Sequence, residues 1–270
     1  MVATIEQRTL DNDHGTFGGE ATIDQTGEGH TASIVQQGGQ FATIIQEGSQ
    51  NTASIGAPQQ GFDGANEAGD AYWGNNNNAS IAQDGTENSA DIRQQGGTGI
   101  STADIDQVGN GNTAAISQMR GENDASITQH ANNAEANIDQ RGVSASFAEL
   151  HQIGDNSIVS ITQTDSTDAS AVQGFWNNHS AVLAVHDADA EVHLLQDGVG
   201  SSADLTVSDG VAGTISSNKG EDTFHTTTFE TGYGFINVHQ DGSAHEVNID
   251  QNGGAFGNIS VNQAGQRPHS

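Results

Sequence analysis

The chain has 270 residues, of which only 33% are hydrophobic and 5% aromatic, so it cannot assemble the thick apolar core of an ordinary globular protein of this length. Its 6 basic and 35 acidic residues give a formal net charge of −29, which repels nucleic-acid phosphates and anionic lipid headgroups and excludes nucleic acid as a partner. It contains no cysteine, which excludes disulfides and thiolate metal sites.

The N-terminal segment Met1–Gln7 has neither a basic region nor an apolar region of the kind found in signal peptides. We therefore expect that any export signal has been removed from this chain. No segment approaches the roughly 20 apolar residues of a membrane span, so the sequence predicts none.

One five-residue motif, Ala-x-Ile-x-Gln, recurs along the chain, and most successive copies begin 11 residues apart. The copies begin at Ala3, Ala21, Ala32, Ala42, Ala79, Ala90, Ala103, Ala114, Ala125 and Ala136. Within each copy Ala, Ile and Gln alternate with mostly polar residues, and a period of two places the two sets on opposite faces of a strand. Each copy is therefore predicted to be a half-buried β-strand.

The segments between the strands read Gln-x-Gly-x-x-Asn, and Gly and Asn tolerate the positive φ that a tight reversal needs. Two strand-and-turn units of ~22 residues close one coil, which rises by one strand spacing of ~4.8 Å. The sequence thus predicts an all-β fold, a β-solenoid with two strands per coil. Roughly a dozen coils would form a rod about 60 Å long and stack end to end as cross-β.

Identical side chains of successive coils are predicted to stack: isoleucine on isoleucine, alanine on alanine, glutamine on glutamine and asparagine on asparagine. A buried amide becomes tolerable when it donates to the neighbour on one side and accepts from the other. The alternative for the glutamine is a solvated position at the strand end. The predicted ladder comprises Ile23, Gln25, Ile34, Gln36, Ile44, Gln46, Ile81, Gln83, Ile92, Gln94, Ile105, Gln107, Ile116, Gln118, Ile127, Gln129, Ile138, Gln140, Ile249 and Gln251.

We expect a single elongated solenoid domain in three sections. Residues 1–142 carry strict repeats with an interruption at about 56–77, either a looped-out insertion or a degenerate coil; residues 143–235 carry degenerate repeats; residues 236–270 return to the strict form. The first repeat starts at Ala3 and the last strand reaches Gln263, which leaves little chain for caps. Two open, complementary edges make a head-to-tail contact, and such contacts generate filaments.

A longer pattern, Gln-x-Gly-x-x-Asn-x-Ala-x-x-x-Gln, occurs at Gln83–Gln94 and Gln107–Gln118, and at Gln46–Ala53 with Ala57 in place of the closing glutamine. This pattern resembles the curlin repeat. The resemblance implies a secreted structural subunit of the cell surface or biofilm matrix that polymerises with copies of itself into curli-like functional amyloid and serves adhesion. It also implies a nucleator and an outer-membrane secretion machinery as partners. The length and the degenerate middle leave open whether the chain is a major subunit or a nucleating one.

Two segments carry metal-competent side chains. The acidic segment from Asp11 to Glu20 is similar to a calcium loop, but Thr16 stands where the sixth-position glycine is required. The second segment contains His186, Asp187, Asp189, Glu191 and His193, and strand alternation turns His193 towards solvent. The sequence therefore predicts no metal or cofactor site, apart from diffuse binding of calcium or other cations to stacked Asp rows.

Four aromatic residues, Tyr72, Trp73, Phe175 and Trp176, lie beside Gly and Asn in predicted turns, as exposed adhesive groups or as local core plugs. No nucleophile elbow, phosphate loop or paired-histidine zinc helix is present, so no catalytic residue and no enzyme is predicted. Two alternatives to the fibre subunit remain: a monomeric secreted β-solenoid adhesin, and a polysaccharide-acting parallel β-helix enzyme. Enzymes of the latter class usually have larger, three-sheet coils and basic catalytic groups, whereas this coil has ~22 residues and the chain has only 6 Lys and Arg.

Overall fold

The computed structural model describes residues 1–8, 19–37, 40–56, 77–95, 100–119, 122–141, 146–164, 167–173, 180–186, 190–197, 202–208, 211–218, 223–229, 234–241, 246–252 and 257–264. Side chains are described up to residue 163, except those of residues 7, 8, 37 and 95. The described residues form β-strands and turns and no helix, which confirms the all-β prediction.

The strands alternate between two parallel sheets of eleven strands each. Sheet A contains β1 (Val2–Arg8), β3 (Thr31–Gln37), β5 (Thr52–Gly56), β7 (Ser89–Gln95), β9 (Thr113–Met119), β11 (Glu135–Arg141), β13 (Ile158–Thr164), β15 (Ser180–His186), β17 (Ser202–Ser208), β19 (Thr223–Phe229) and β21 (Glu246–Asn252). Sheet B contains β2 (Glu20–Glu28), β4 (Phe41–Ser49), β6 (Asn78–Thr86), β8 (Thr102–Asn110), β10 (Asn123–His130), β12 (Ser146–Gln152), β14 (Thr167–Gln173), β16 (Ala190–Asp197), β18 (Val211–Asn218), β20 (Gly234–Asp241) and β22 (Gly257–Ala264).

Each coil contributes one strand to each sheet, which confirms the predicted solenoid with two strands per coil. Gln107 and Gln129, which occupy equivalent positions in β8 and β10, are 22 residues apart. Gln46 and Gln83 are 37 residues apart, although β4 pairs directly with β6. The strands on either side of the interruption therefore pair directly, β4 with β6 and β5 with β7, while residues 57–76 themselves lie outside the described part of the chain.

The core is a thin layer between the two sheets. Ala and Ile of each motif point inward, and the residues between them point to solvent, because side chains alternate along a strand. Ile105 in sheet B is fully buried and lies between Ile81 and Ile127 of the adjacent strands. Burial of one such side chain contributes roughly 1.5–3 kcal/mol, so the repeat supplies one substantial apolar contribution per strand.

Pairing continues through the less regular sequence after β12. The alanine position of sheet B passes from Ala148 to Ala169, Val192 and Gly213 without a shift in register. The glutamine position of sheet A runs through Gln163, Val185, Val207, Thr228 and Gln251. In this section the residues of the motif are replaced by others, while the register between neighbouring strands is unchanged.

The corners that lead from sheet B to sheet A are built on glycines in the left-handed region. Gly27, Gly48, Gly85 and Gly109 have φ values of 126°, 96°, 128° and 123°. They stack so closely that a Cβ on Gly85 would lie 1.9 Å from the carbonyl oxygen of Gly109. Glycine is required here for both its conformation and its small volume.

Gly85→Ala should lower the free energy of unfolding by on the order of 3 kcal/mol, because the added methyl group meets backbone and the residue keeps a positive φ. Gly56→Ala is the control, since Gly56 lacks a positive φ and its nearest neighbour would be Val35 Cβ at 3.3 Å. Urea unfolding followed by circular dichroism measures both variants. Equal stability of the two would contradict this explanation of the corner.

Candidate functional site: the side-chain ladders and the first coil

The isoleucines of the motif form a continuous buried column in each sheet. Those exposed by no more than 1% are Ile34, Ile44, Ile81, Ile92, Ile105, Ile116, Ile127 and Ile138. The column changes at the first coil, where Ile23 of β2 is half-buried and Ile5 of β1 is 47% exposed. The side chain of Ile249 lies outside the described residues.

The glutamines are joined from coil to coil by amide hydrogen bonds. In sheet B, Nε2 donates to the next Oε1 from Gln25 to Gln46 (2.7 Å), Gln46 to Gln83 (2.8 Å), Gln83 to Gln107 (2.7 Å), Gln107 to Gln129 (2.8 Å) and Gln129 to Gln152 (2.7 Å). In sheet A, bonds of 2.9 Å join Gln94 to Gln118, Gln118 to Gln140 and Gln140 to Gln163. Each of these bonds pairs an amide nitrogen with an amide oxygen, so the glutamines can be buried without losing their hydrogen bonds.

Two members of the predicted ladder differ from this pattern. Gln36 in β3 lies beside Gln7 of β1, but the equivalent position after β5 is Ala57 and not a glutamine. Its Nε2 donates to the carbonyl oxygens of Glu20 and Gln40. The side chain of Gln251 in β21 lies outside the described residues.

The amide ladder has a direction. In every bond between described glutamines, the residue nearer the N-terminus donates. The same Nε2 also donates to a carbonyl of the opposite sheet, as from Gln83 to Thr52 and from Gln107 to Ser89, both at 3.1 Å. Because a carbonyl oxygen only accepts, it holds the nitrogen of the amide in place and prevents a flip.

A second amide ladder runs through the corners from sheet B to sheet A. Asn51, Asn88 and Asn112 are buried, and the Oδ1 of each accepts from the backbone N–H of the corner in the next coil, at 3.0 Å. The Nδ2 of Asn88 donates to the carbonyl of Gly109 at 2.8 Å. The sequence predicted that these asparagines form turns and stack on one another. It did not predict that each Oδ1 accepts from a backbone N–H of the next coil and not from the next amide.

The first of these corners has histidine where the later ones have asparagine. His30 lies two residues before Ala32 and is only 1% exposed. Its Nδ1 lies 3.2 Å from the backbone nitrogen of Asn51, and its Nε2 lies 3.0 Å from the carbonyl oxygen of Thr26. Sequence reasoning did not single out His30, although its spacing from the repeat marks it as a ladder position.

Carboxylates lie on the outer faces of the sheets. Asp91 and Asp139 form ion pairs of 2.6 Å with Arg93 and Arg141 of their own strands. The pKa of Asp104 is raised from its ordinary value, chiefly because packing against neighbouring strands removes part of its hydration. A hydrogen bond with Ser80 lowers this pKa, and the charge of Asp106 raises it further.

Asp104→Asn should make the fold slightly more stable at neutral pH, by less than about 1 kcal/mol because solvent screens the site. A carboxyl with a raised pKa in the folded state opposes folding when it is ionised, and this penalty disappears as the pH falls below its ordinary value of 3.8. The variant's advantage should therefore vanish in acid. Urea unfolding at pH 7 and pH 3.5 measures it, with Asp84→Asn as control; an advantage that grew in acid would contradict the sign.

The first coil presents an incomplete core. β1 and β2 each have one neighbouring strand, β3 and β4 respectively. Ile5 is 47% exposed, whereas the equivalent Ile34 is fully buried. The edge of the first coil therefore offers strand hydrogen-bonding groups beside an apolar surface.

The described side chains include no group of three or more His, Asp or Glu residues that could hold a metal ion. Within the described ranges, no helix is long and apolar enough to cross a membrane. The segment Asp11–Phe17 lies outside the described residues, as do the side chains of His186, Asp187, Asp189, Glu191 and His193 and the four aromatic residues Tyr72, Trp73, Phe175 and Trp176.

Comparison with protein families gives a match to the curlin associated repeat. It covers residues 101–130, which include the whole of β8, β9 and β10. This match confirms the resemblance seen in the sequence over that segment. No curated protein matches the chain. The curlin repeat family consists of structural subunits, and a curlin repeat within a β-solenoid fits such a subunit.

Proposed function

We propose that the chain is a structural subunit of an extracellular curli-like amyloid fibre, which it builds by head-to-tail stacking with copies of itself. The observation that supports this most strongly is the 47% exposure of Ile5 at the start of an isoleucine column that is buried from Ile34 onward. A second copy would cover Ile5 with the same kind of neighbour that each later isoleucine already has.

In the proposed junction, β21 and β22 of one copy pair with β1 and β2 of the next. The register of sheet A carries through from Ala3 to Val247, so strands at the two ends have the same alignment of alanine and isoleucine positions. Parallel strand pairing across the junction would repeat the pairing found inside the chain. Backbone hydrogen bonds would supply affinity, and the matching columns would set the register.

The direction of the amide ladder favours head-to-tail over head-to-head contact. Gln25 uses its Nε2 to reach Gln46, so its Oε1 is the atom available to an amide donor from another copy. Two first coils placed face to face would bring Oε1 acceptors together. A head-to-tail contact instead continues the donor-to-acceptor order, and repetition of such a contact produces an open filament.

The charge of the outer surface suits an extended fibre. With a net charge of −29, neighbouring fibres repel one another laterally, whereas the first coil exposes the apolar side chain of Ile5. Growth along the axis is therefore favoured over disordered aggregation. We place the fibre in the matrix or at the cell surface, where it serves cohesion and adhesion, on the basis of the curlin repeat.

Seeded assembly tests the proposal. Purified chain is incubated at pH 7.5 in 150 mM salt and followed by thioflavin fluorescence and negative-stain electron microscopy, with and without 1% of sonicated product as seed. The expected result is unbranched fibres and the loss of the lag phase on seeding. Monomeric rods that persist at high concentration would overturn the proposal and favour a monomeric adhesin.

A further inference from the structure

We infer that His30 is a pH-sensitive latch: in its neutral form it closes the first corner, and its protonation opens that corner and with it the edge formed by β1 and β2. The opening of the corner concerns the single chain. Its consequence for assembly rests on the proposed function.

The two partners of the imidazole fix its protonation state. The backbone nitrogen of Asn51 can only donate, so Nδ1 must accept from it at 3.2 Å. The carbonyl oxygen of Thr26 can only accept, so Nε2 must carry the proton at 3.0 Å. The corner therefore requires the neutral imidazole with its proton on Nε2.

A second proton would have to be placed on Nδ1, against the N–H group of Asn51. Two donors would then face each other inside a corner where His30 is only 1% exposed. A buried charge without a compensating acceptor is costly, and the chain can relieve it only by turning the ring out to solvent. Protonation therefore separates the corner before β3 from the corner before β5.

The later corners cannot respond in this way. Asn51, Asn88 and Asn112 present an amide Oδ1 that accepts from the next backbone N–H at 3.0 Å. An amide does not titrate in the physiological range, so these contacts persist when the pH falls. The first corner is the one described corner of this ladder closed by a histidine.

The corner is coupled directly to the edge strand. The backbone nitrogen of Val2 donates to the carbonyl oxygen of His30 at 2.8 Å, which anchors the start of β1. The titratable groups on the strands around the ring are the Met1 amino group, Glu6 and Arg8 at β1, Glu20, Asp24 and Glu28 on β2, and Glu47 on β4. All five carboxylates are exposed. Displacement of His30 therefore loosens the strand that carries Ile5.

Hydrogen exchange on the monomer tests the latch. Wild type, His30→Asn, His30→Gln and the control His130→Asn are compared at pH 7.5 and 5.5 by mass spectrometry, with rates corrected for the intrinsic pH dependence of exchange. His130 is exposed on β10. We expect the segment from Thr26 to Asn51 to exchange several-fold faster at pH 5.5 in wild type and in His130→Asn, up to the limit of about tenfold that protonation of one histidine allows, and to be unchanged in His30→Asn.

The His30→Gln variant keeps the test decisive if His30→Asn does not fold, because glutamine also supplies an amide that does not titrate. An acid-induced increase that persisted in both position-30 variants, or that was absent from wild type, would overturn the inference. These outcomes do not depend on fibre formation, so they remain decisive even if the chain does not polymerise.

Seed elongation measures the consequence for assembly. Acid also reduces the negative charge of the chain, so the quantity compared is the ratio of the elongation rates of wild type and His30→Asn at each pH. This ratio should fall at least fivefold between pH 7.5 and 5.5. A constant ratio, together with the expected exchange result, would overturn the link from the latch to assembly while leaving the proposed fibre intact.

Discussion

Ile105→Lys should unfold the central coils and lower the free energy of unfolding by about 4 kcal/mol or more. Ile105 is fully buried between Ile81 and Ile127, so the ammonium group would enter a thin apolar layer with no carboxylate partner. From β3 to β13 the core contains one such side chain per strand, and neighbouring coils cannot rearrange to bring water to the charge. Loss of the strand signal in circular dichroism at 25 °C is the expected readout.

Val108→Lys provides the matched control, because it makes a similar change on the same strand. Val108 is 40% exposed and faces away from the core. Its replacement should change the stability by less than about 0.5 kcal/mol. If both variants lost the same stability, the inward and outward assignment of β8 would be wrong.

Ile5→Lys should fold as wild type but fail to elongate seeds, with a rate at least about 100-fold lower, which corresponds to roughly 2.7 kcal/mol at the junction. Ile5 is already 47% exposed in the single chain, so lysine is tolerated there. In the proposed junction the same position becomes buried, and an unpaired ammonium group is costly. Thioflavin fluorescence with wild-type seeds measures the rate.

The same variant should also cap fibres when it is mixed with wild type. Its β21 and β22 are unchanged, so it can add to a first coil at the fibre end and then offer a defective edge. Thr4→Lys is the control, since this substitution places the same charge on the outer face of β1. One part of Ile5→Lys in twenty should shorten wild-type fibres, whereas Thr4→Lys should not. Inhibition by neither variant would argue against a junction at β1.

Much of the fold could be predicted from the sequence because the same pattern of inward and outward residues recurs in every copy of the repeat. Alternation in Ala-x-Ile-x-Gln determines which face of each strand is buried, and the spacing of about 11 residues determines where the chain reverses. The stacking of identical residues then follows from the parallel register, as between Ile105 and Ile127.

The parts that were not predicted depend on three-dimensional contacts that a spacing does not contain. The repeat spacing breaks after β5, and the sequence does not show that β4 and β6 still pair directly with each other. The direction of the glutamine ladder depends on carbonyls of the opposite sheet, such as that of Thr52. The role of His30 depends on the two backbone groups that its ring meets.

Disulfide trapping in fibres tests head-to-tail assembly most directly, because the natural chain contains no cysteine. Thr4 and Asn248 occupy the same row of sheet A, so the proposed junction places Thr4 of one copy beside Asn248 of the next. Adjacent strands lie ~4.8 Å apart, a separation that suits a disulfide. Mixed fibres of Thr4→Cys and Asn248→Cys chains should form the heterodimer on oxidation, whereas Thr4→Cys with Ser117→Cys should not. Cross-linking of Thr4→Cys chains to one another, or no cross-link in mature mixed fibres, would contradict head-to-tail stacking.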